Sequence, residues 1–191
     1  LSPTATSRDL PAPTIHPSPS GDLFEIQSSQ LALTRAASPD VRAYAQQLIA
    51  DHTAASQRLK ALASGLPVPL PTAPEGPHAA LLTQLGTLQG AAFDQAYMAA
   101  QLTAHEQAVN LFTAYSRAGH QPQLRAHAVQ TLPHLRMHLE RARTLQGMVT
   151  HNQGRHGARP PGEDRAPFIR DPVSQGRQAE LKRKQASSGT P

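Results

Sequence analysis

The stretch from Ser38 to Gly65 does most to limit what this chain can become. Ser38, Pro39 and Asp40 open it as N-cap, first helical residue and acidic first-turn residue, and Gly65 closes it. Between them Val41, Tyr44, Leu48, His52, Ala55, Leu59 and Leu62 follow one another in steps of three or four. That period gathers them on one face of a helix, whereas a strand, alternating with a period of two, would scatter them over both faces. One residue breaks the apolar face: His52 stands where a leucine belongs.

The pattern recurs twice. A helical region is expected from near His78, bent around Gly86 to Gly90, and on to Ala118, with the stripe Asp94, Met98, Gln101, His105, Ala108, Phe112 and Tyr115. Another runs from Pro122 to Val149 with the stripe Leu124, Ala128, Thr131, Leu135, His138, Ala142 and Leu145. Pro133 lies inside it, removes one donor and crowds the carbonyl of Val129, so a kink or restart is expected there. A shorter first helix, Asp22 to Ala37, carries Glu25 in a row with Ser29, Ala32 and Ala36, small residues that let helices approach closely. The loop GLPVPLPTAPEGP holds five prolines in 13 residues and should be ordered but not helical. Four helices joined by short links and one longer loop make an all-α antiparallel bundle the economical arrangement. With no Trp, four Phe and three Tyr, its core must be built mainly of Leu, Ala and Val.

Three regions follow from composition. Residues 1–21 are rich in Pro, Ser and Thr and read as a disordered spacer, residues 22–149 as the bundle, and residues 150–191 as a basic disordered tail. The formal charge is +5, and the segment from Thr150 to Pro191 carries eight Arg or Lys against four Asp or Glu. The excess therefore sits in the tail, which suggests weak adhesion to an anionic envelope surface. No folded element combines a basic stripe with stacking aromatics, so nucleic acid is not an expected partner. The chain has no cysteine, which removes disulfides and thiolate metal sites. No apolar run reaches the roughly 18 residues of a membrane span. A first residue of Leu1 and the composition that follows resemble the spacer after a removed export signal, hence an expected periplasmic or secreted location.

His52, His105 and His138 fall on the apolar stripes of three separate helices. Neutral imidazoles and a carboxylate converging in a bundle core form the usual helical metal site, so Glu25, His52, His105 and His138 are candidate ligands of a divalent ion such as zinc, copper or iron. Each imidazole would hold the ion with one nitrogen and donate the other N–H to an acceptor. Asp51, Asp94, Tyr97, Gln101 and Glu106 are candidates around the site, and His134, one turn before His138, could add a ligand. The competing interpretation is that a stripe histidine is an ordinary hydrogen-bonded core residue, and His134, with His127 and Arg141 as neighbours, lies on an exposed flank. The di-iron template asks for Glu-x-x-His on two helices, and the one match, Glu75 with His78, spans the end of the proline-rich loop. No nucleophile elbow, phosphate loop or HExxH motif occurs.

The blocks FEIQSSQLAL, VRAYAQQLIADHTAASQRL, GAAFDQAYMAAQLTAHEQAVNLF and LPHLRMHLERA resemble, in order and spacing, the bacterial domain of unknown function 4142 family. The resemblance covers Asp22 to Leu145 and rests on DHT at 51–53, FDxxY at 93–97, AH at 104–105 and LPxLxxHL at 132–139. It implies an exported, ferritin-like helical bundle, of a kind often labelled putative outer-membrane protein, and it matches Glu25, Asp51, His52, Asp94, Tyr97, His105 and His138 to motif positions. It implies no activity. The expectation is a ferritin-like protein that binds or buffers a divalent metal. The alternative is an envelope interaction or structural protein whose buried polar residues only fix helix register. A metal-dependent oxidase or hydrolase is the weakest reading, because no acid, base or open coordination position follows from the sequence.

Overall fold

The computed structural model describes residues 19–65 and 71–157. The expectations for residues 1–18 and 158–191, and for 66–70 of the proline-rich loop, lie outside them. Regular structure among the described residues is helical: α1 (Pro19–Arg35), α2 (Pro39–Ala63), α3 (Pro77–Leu85), α4 (Gly90–Ala118) and α5 (Pro122–Gly157).

The α2 start signal works as its residue types require. The Ser38 side chain accepts the Val41 N–H at 3.4 Å, and Pro39 occupies the first turn, where no amide donor is missed. The link from α1 to α2 is tied down by Asp94 of α4, whose two carboxylate oxygens accept the N–H groups of Ala37 (3.1 Å) and Ser38 (2.9 Å).

Two expectations about helix continuity change. The bend at Gly86 to Gly90 is a complete break: the Gly86 N–H ends α3 on the Leu82 carbonyl at 3.1 Å, and Gly90 opens α4 at φ +63°, a conformation that strains any residue with a Cβ. At Pro133, by contrast, α5 continues without restarting. Pro133 and Val129 both lie on the exposed side, where solvent can satisfy the carbonyl that loses its donor. The helix also runs past the expected stop at Val149 to Gly157.

Burial follows the stripes. Every residue of the α5 stripe is buried, and in α2 the stripe is buried from Val41 to Leu59. The buried apolar residues fall into two clusters. One joins Ala32 of α1, Ala36 just beyond it, Val41, Tyr44 and Leu48 of α2, Leu85 of α3, Phe93, Tyr97 and Met98 of α4, and Ala142, Leu145 and Val149 of α5. The other joins Leu59, Tyr115, Leu124 and Ala128. Along α2 the order is first cluster, His52, second cluster; along α4 it is first cluster, His105, second cluster; along α5 it is reversed about His138. The three histidines therefore occupy one polar layer between two apolar ones.

Candidate metal centre

The layer is assembled by helices that have no choice about depth. Once Leu48 and Leu59 are buried, the helical period carries His52 inward between them, and the same holds for His105 between Met98 and Tyr115 and for His138 between Leu135 and Ala142. All three are buried, with exposures of 5%, 1% and 2%. Their ring centroids lie 5.7 Å (His52–His105), 5.4 Å (His52–His138) and 5.3 Å (His105–His138) apart. One ligand nitrogen from each comes within 4.8 Å of the others.

On each ring one nitrogen is anchored and the other is bare. His52 donates from Nδ1 to Asp22 Oδ1 at 2.7 Å. His105 donates from Nδ1 to the carbonyl of Gln101, one turn back, at 2.9 Å. His138 donates from Nε2 to Asp51 Oδ2 at 2.8 Å, and Asp51 is itself held by Gln47 at 2.8 Å. These acceptors cannot donate, so they fix the tautomers. The remaining nitrogens, His52 Nε2, His105 Nε2 and His138 Nδ1, are buried without a hydrogen-bond partner. A buried polar atom left unpaired costs about 1–3 kcal/mol, so three on rings this close together form an arrangement that folding alone does not favour. Three lone pairs with outer-sphere acceptors behind them are the donor set a borderline metal ion takes.

Electrostatics point the same way. Burial, reinforced by the neighbouring His52 and His138, pushes His105 down to about 3. Burial also pushes His138 down to about 4, with Asp51 opposing and His52 and His134 adding to the effect. Both rings are neutral, and so able to ligate, at pH 7. Burial lowers His52 as well, but its hydrogen bond to Asp22 and the carboxylates of Glu25, Asp22 and Asp51 outweigh it and leave His52 raised. Of the three rings, His52 therefore takes up a proton most readily.

Glu25 adjoins this group. Its Oε1 is 3.8 Å from His105 Nδ1, its Oε2 is buried and unpaired, and burial raises its carboxyl to about 7, against the opposing influence of His52 and Gln101. Two clefts reach the layer. One, of about 160 Å³, touches Glu25, His52 and His105 between walls that include Ala108, Leu111 and Phe112. The other, of about 130 Å³, touches Asp51, His52 and His138 and has Arg58 and His134 on its rim.

The other expected residues divide. Asp51 is the acceptor behind His138, and His134 is more than half exposed with Nδ1 3.9 Å from Asp51. Asp94 and Tyr97, expected around the site, are engaged elsewhere: Asp94 holds the α1–α2 link, and the Tyr97 hydroxyl lies 2.8 Å from the hydroxyl of Ser29. Glu106 is exposed and pairs with Arg143 at 3.5 Å, while Gln101 contributes through its carbonyl rather than its side chain, which donates to Ser28 at 3.1 Å. His127 is a correction: it is buried at 2% exposure, not on an exposed flank, and faces Phe112 with ring centroids 6.3 Å apart. Sequence reasoning missed Asp22, which reads as a helix-start residue, and His78, which stacks on Phe24 at 4.8 Å and lines the larger cleft. Asp22 was open to discovery, since it lies three residues before Glu25 and so shares its helix face.

The profile of a family described as "Domain of unknown function (DUF4142)" matches residues 8–145, and the chain belongs to that family. No curated protein and no solved structure matches it. Among the described residues no helix is long and apolar enough to cross a membrane.

Proposed function

We propose that this member of the domain of unknown function 4142 family binds a divalent metal ion through His52, His105 and His138, within a ferritin-like antiparallel four-helix bundle. The observation that carries the proposal is the set of three buried, unpaired ring nitrogens, each opposite a nitrogen anchored to Asp22, the Gln101 carbonyl or Asp51. Zinc and copper suit an all-imidazole set best, with iron a poorer match. A tetrahedral ion with bonds near 2.0–2.1 Å would hold its ligand nitrogens about 3.3 Å from one another, so separations of up to 4.8 Å would close by at most about 1.5 Å, roughly 0.9 Å of inward movement for each ring. The role is binding or buffering rather than turnover.

The bundle assignment rests on helix order. α1 and α5 cross the histidine layer toward the first apolar cluster, and α2 and α4 cross it away from that cluster. Helices α2 and α4 thus run the same way and are joined by the one long connection, which is the ferritin-like topology. The Pro-, Ser- and Thr-rich composition of residues 1–21 supports a periplasmic or secreted location, which cell fractionation would test.

A second reading has its own observation. Ser28 with Gln101, and Ser29 with Tyr97, form a fully buried polar row between α1 and α4 held by hydrogen bonds of its own, with Gln101 Oε1 left unpaired. In an envelope interaction protein such a row would fix helix register, and the histidine layer would extend it. Titration calorimetry with zinc and copper separates the two. The metal reading expects one ion per chain for the wild type, and loss of that binding in His52→Ala, His105→Ala and His138→Ala. Wild-type protein that takes up neither ion would leave the register reading standing.

A further inference from the structure

Three protein ligands leave one position of a tetrahedral ion unfilled, and the structure is specific about what borders it. Among the described residues, the ligand atoms that come within 4.8 Å of one another are those of the three histidines. Glu25 is a neighbour of that set, with its nearer oxygen 3.8 Å from the Nδ1 of His105, the nitrogen already committed to Gln101. Its other oxygen, Oε2, is buried, has no partner and belongs to the residues lining the larger cleft, together with His52 and His105. Ala108, Leu111, Phe112 and Leu135 add apolar surface to the cleft's lining, with Asp22 and His78 among the polar residues. Its volume of about 160 Å³ holds a few non-hydrogen atoms, given that a water in the liquid occupies about 30 Å³.

The charge of the surroundings selects the occupant. A dication facing the carboxylates of Asp22 and Asp51, which hold His52 and His138, is already balanced in sign, with Glu25 in addition. An added anion would enter a cleft lined by the carboxyl groups of Glu25 and Asp22, with Glu25 Oε2 unpaired, an arrangement that carries a desolvation and repulsion cost. A neutral nitrogen or oxygen donor with a hydrogen of its own meets neither penalty. It would place its lone pair on the ion, its N–H or O–H on Glu25 Oε2 and its carbon atoms against Leu111 and Phe112.

We propose that the metal centre is an open one, whose fourth position takes a small neutral N- or O-donor ligand of the azole or alcohol class, entering by the Glu25 cleft and donating a hydrogen bond to Glu25. This rests on the metal-binding reading above. Glu25 is here a positioning residue, and the two apolar residues define the size limit.

The test uses the full chain loaded with cobalt(II), whose visible absorption reports its coordination shell. Uptake of cobalt is measured first by metal analysis, so that failure of the metal site itself is seen separately. Imidazole, 1-methylimidazole and azide are then titrated against the absorption bands. Imidazole is expected to shift the bands saturably. 1-Methylimidazole, which lacks the N–H for Glu25, should bind about tenfold more weakly, and azide more weakly still. In Glu25→Ala the preference for imidazole over its methylated form should vanish while cobalt uptake persists, and Leu111→Trp should block both azoles. Cobalt uptake with no band shift from any probe would mean a closed centre and overturn the proposal while leaving the metal reading intact. Azide binding more tightly than imidazole would overturn the neutral-ligand assignment, and absence of cobalt and zinc uptake would remove both.

Discussion

Two layers of the same helices obey opposite rules. Around Tyr44, Phe93, Tyr97 and Leu48 every large side chain is fully buried, and the polar atoms that enter are matched: the Tyr44 hydroxyl donates to the His138 carbonyl at 3.2 Å, and Tyr97 meets Ser29. In the adjoining layer the side chains are as deeply buried, yet His52, Glu25, Gln101, His105 and His138 each retain a buried polar atom with no partner. The first layer lowers the free energy of folding, and the second raises it unless something arrives to satisfy it. Such a division is what a stable scaffold carrying a binding site would show.

The comparison breaks first at its apolar end. Phe93→Ala empties a fully buried site and should cost about 3–5 kcal/mol, read as a lowered denaturation midpoint; a change below about 1 kcal/mol would mean that this layer is not the scaffold. His105→Leu probes the other layer. Its only anchor is a helix carbonyl, so an apolar side chain of similar size should leave the metal-free protein as stable or slightly more stable. Metal affinity should fall by more than about 100-fold, since outer-sphere losses alone cost about 10–100-fold. A strong loss of metal-free stability would show that the histidine layer is structural after all. Asp51→Asn, which weakens the acceptor behind His138, should reduce metal affinity by about 10–100-fold and change folding little.

Acid gives a smaller, signed effect in the metal-free protein. His105 and His138 have folded values of about 3 and about 4 against 6.5 unfolded, so their contribution is full above pH 6.5 and is lost as pH falls. Glu25 is raised to about 7 from 4.5, so its contribution is full below pH 4.5 and is lost as pH rises through 7. Between pH 6.5 and 4.5 these two histidines are set against Glu25 and the raised His52, and they outweigh them. Stability should fall on acidification by up to about 1.4 kcal/mol per pH unit, and Glu25→Gln, by removing an opposing group, should steepen that slope. Denaturant titrations at several pH values would show it, and a flat profile in both proteins would mean that these groups titrate normally. The smallest effect concerns residues 158–191. Their removal should weaken salt-sensitive association with anionic vesicles and leave metal binding unchanged, and unchanged association would retire the idea of an adhesive tail.

The sequence carried the helices and the depth of the histidines because both follow from period. A residue that alternates with Leu48 and Leu59 in steps of three and four is buried with them whatever the details of packing. Position along neighbouring helices is a different kind of information. Asp94 shares a stripe with His105 and Tyr97 flanks it, yet both sit at the first apolar layer, because α4 is long and its stripe traverses both layers. Asp22 escaped notice for a related reason: a carboxylate in a first turn has a sufficient local explanation, and only the approach of α1 to α2 reveals its bond to His52. His127 shows the limit of inferring exposure from neighbours, since Phe112 of α4 covers it.

The central claim is that His52, His105 and His138 act on one ion. X-ray absorption at the zinc edge of the zinc-loaded chain tests it most directly. The account predicts three imidazole nitrogens at about 2.0–2.1 Å with one further light atom, reduced to two imidazoles in His105→Leu. A zinc shell of oxygen atoms without imidazole, or a spectrum unchanged by that substitution, would contradict it.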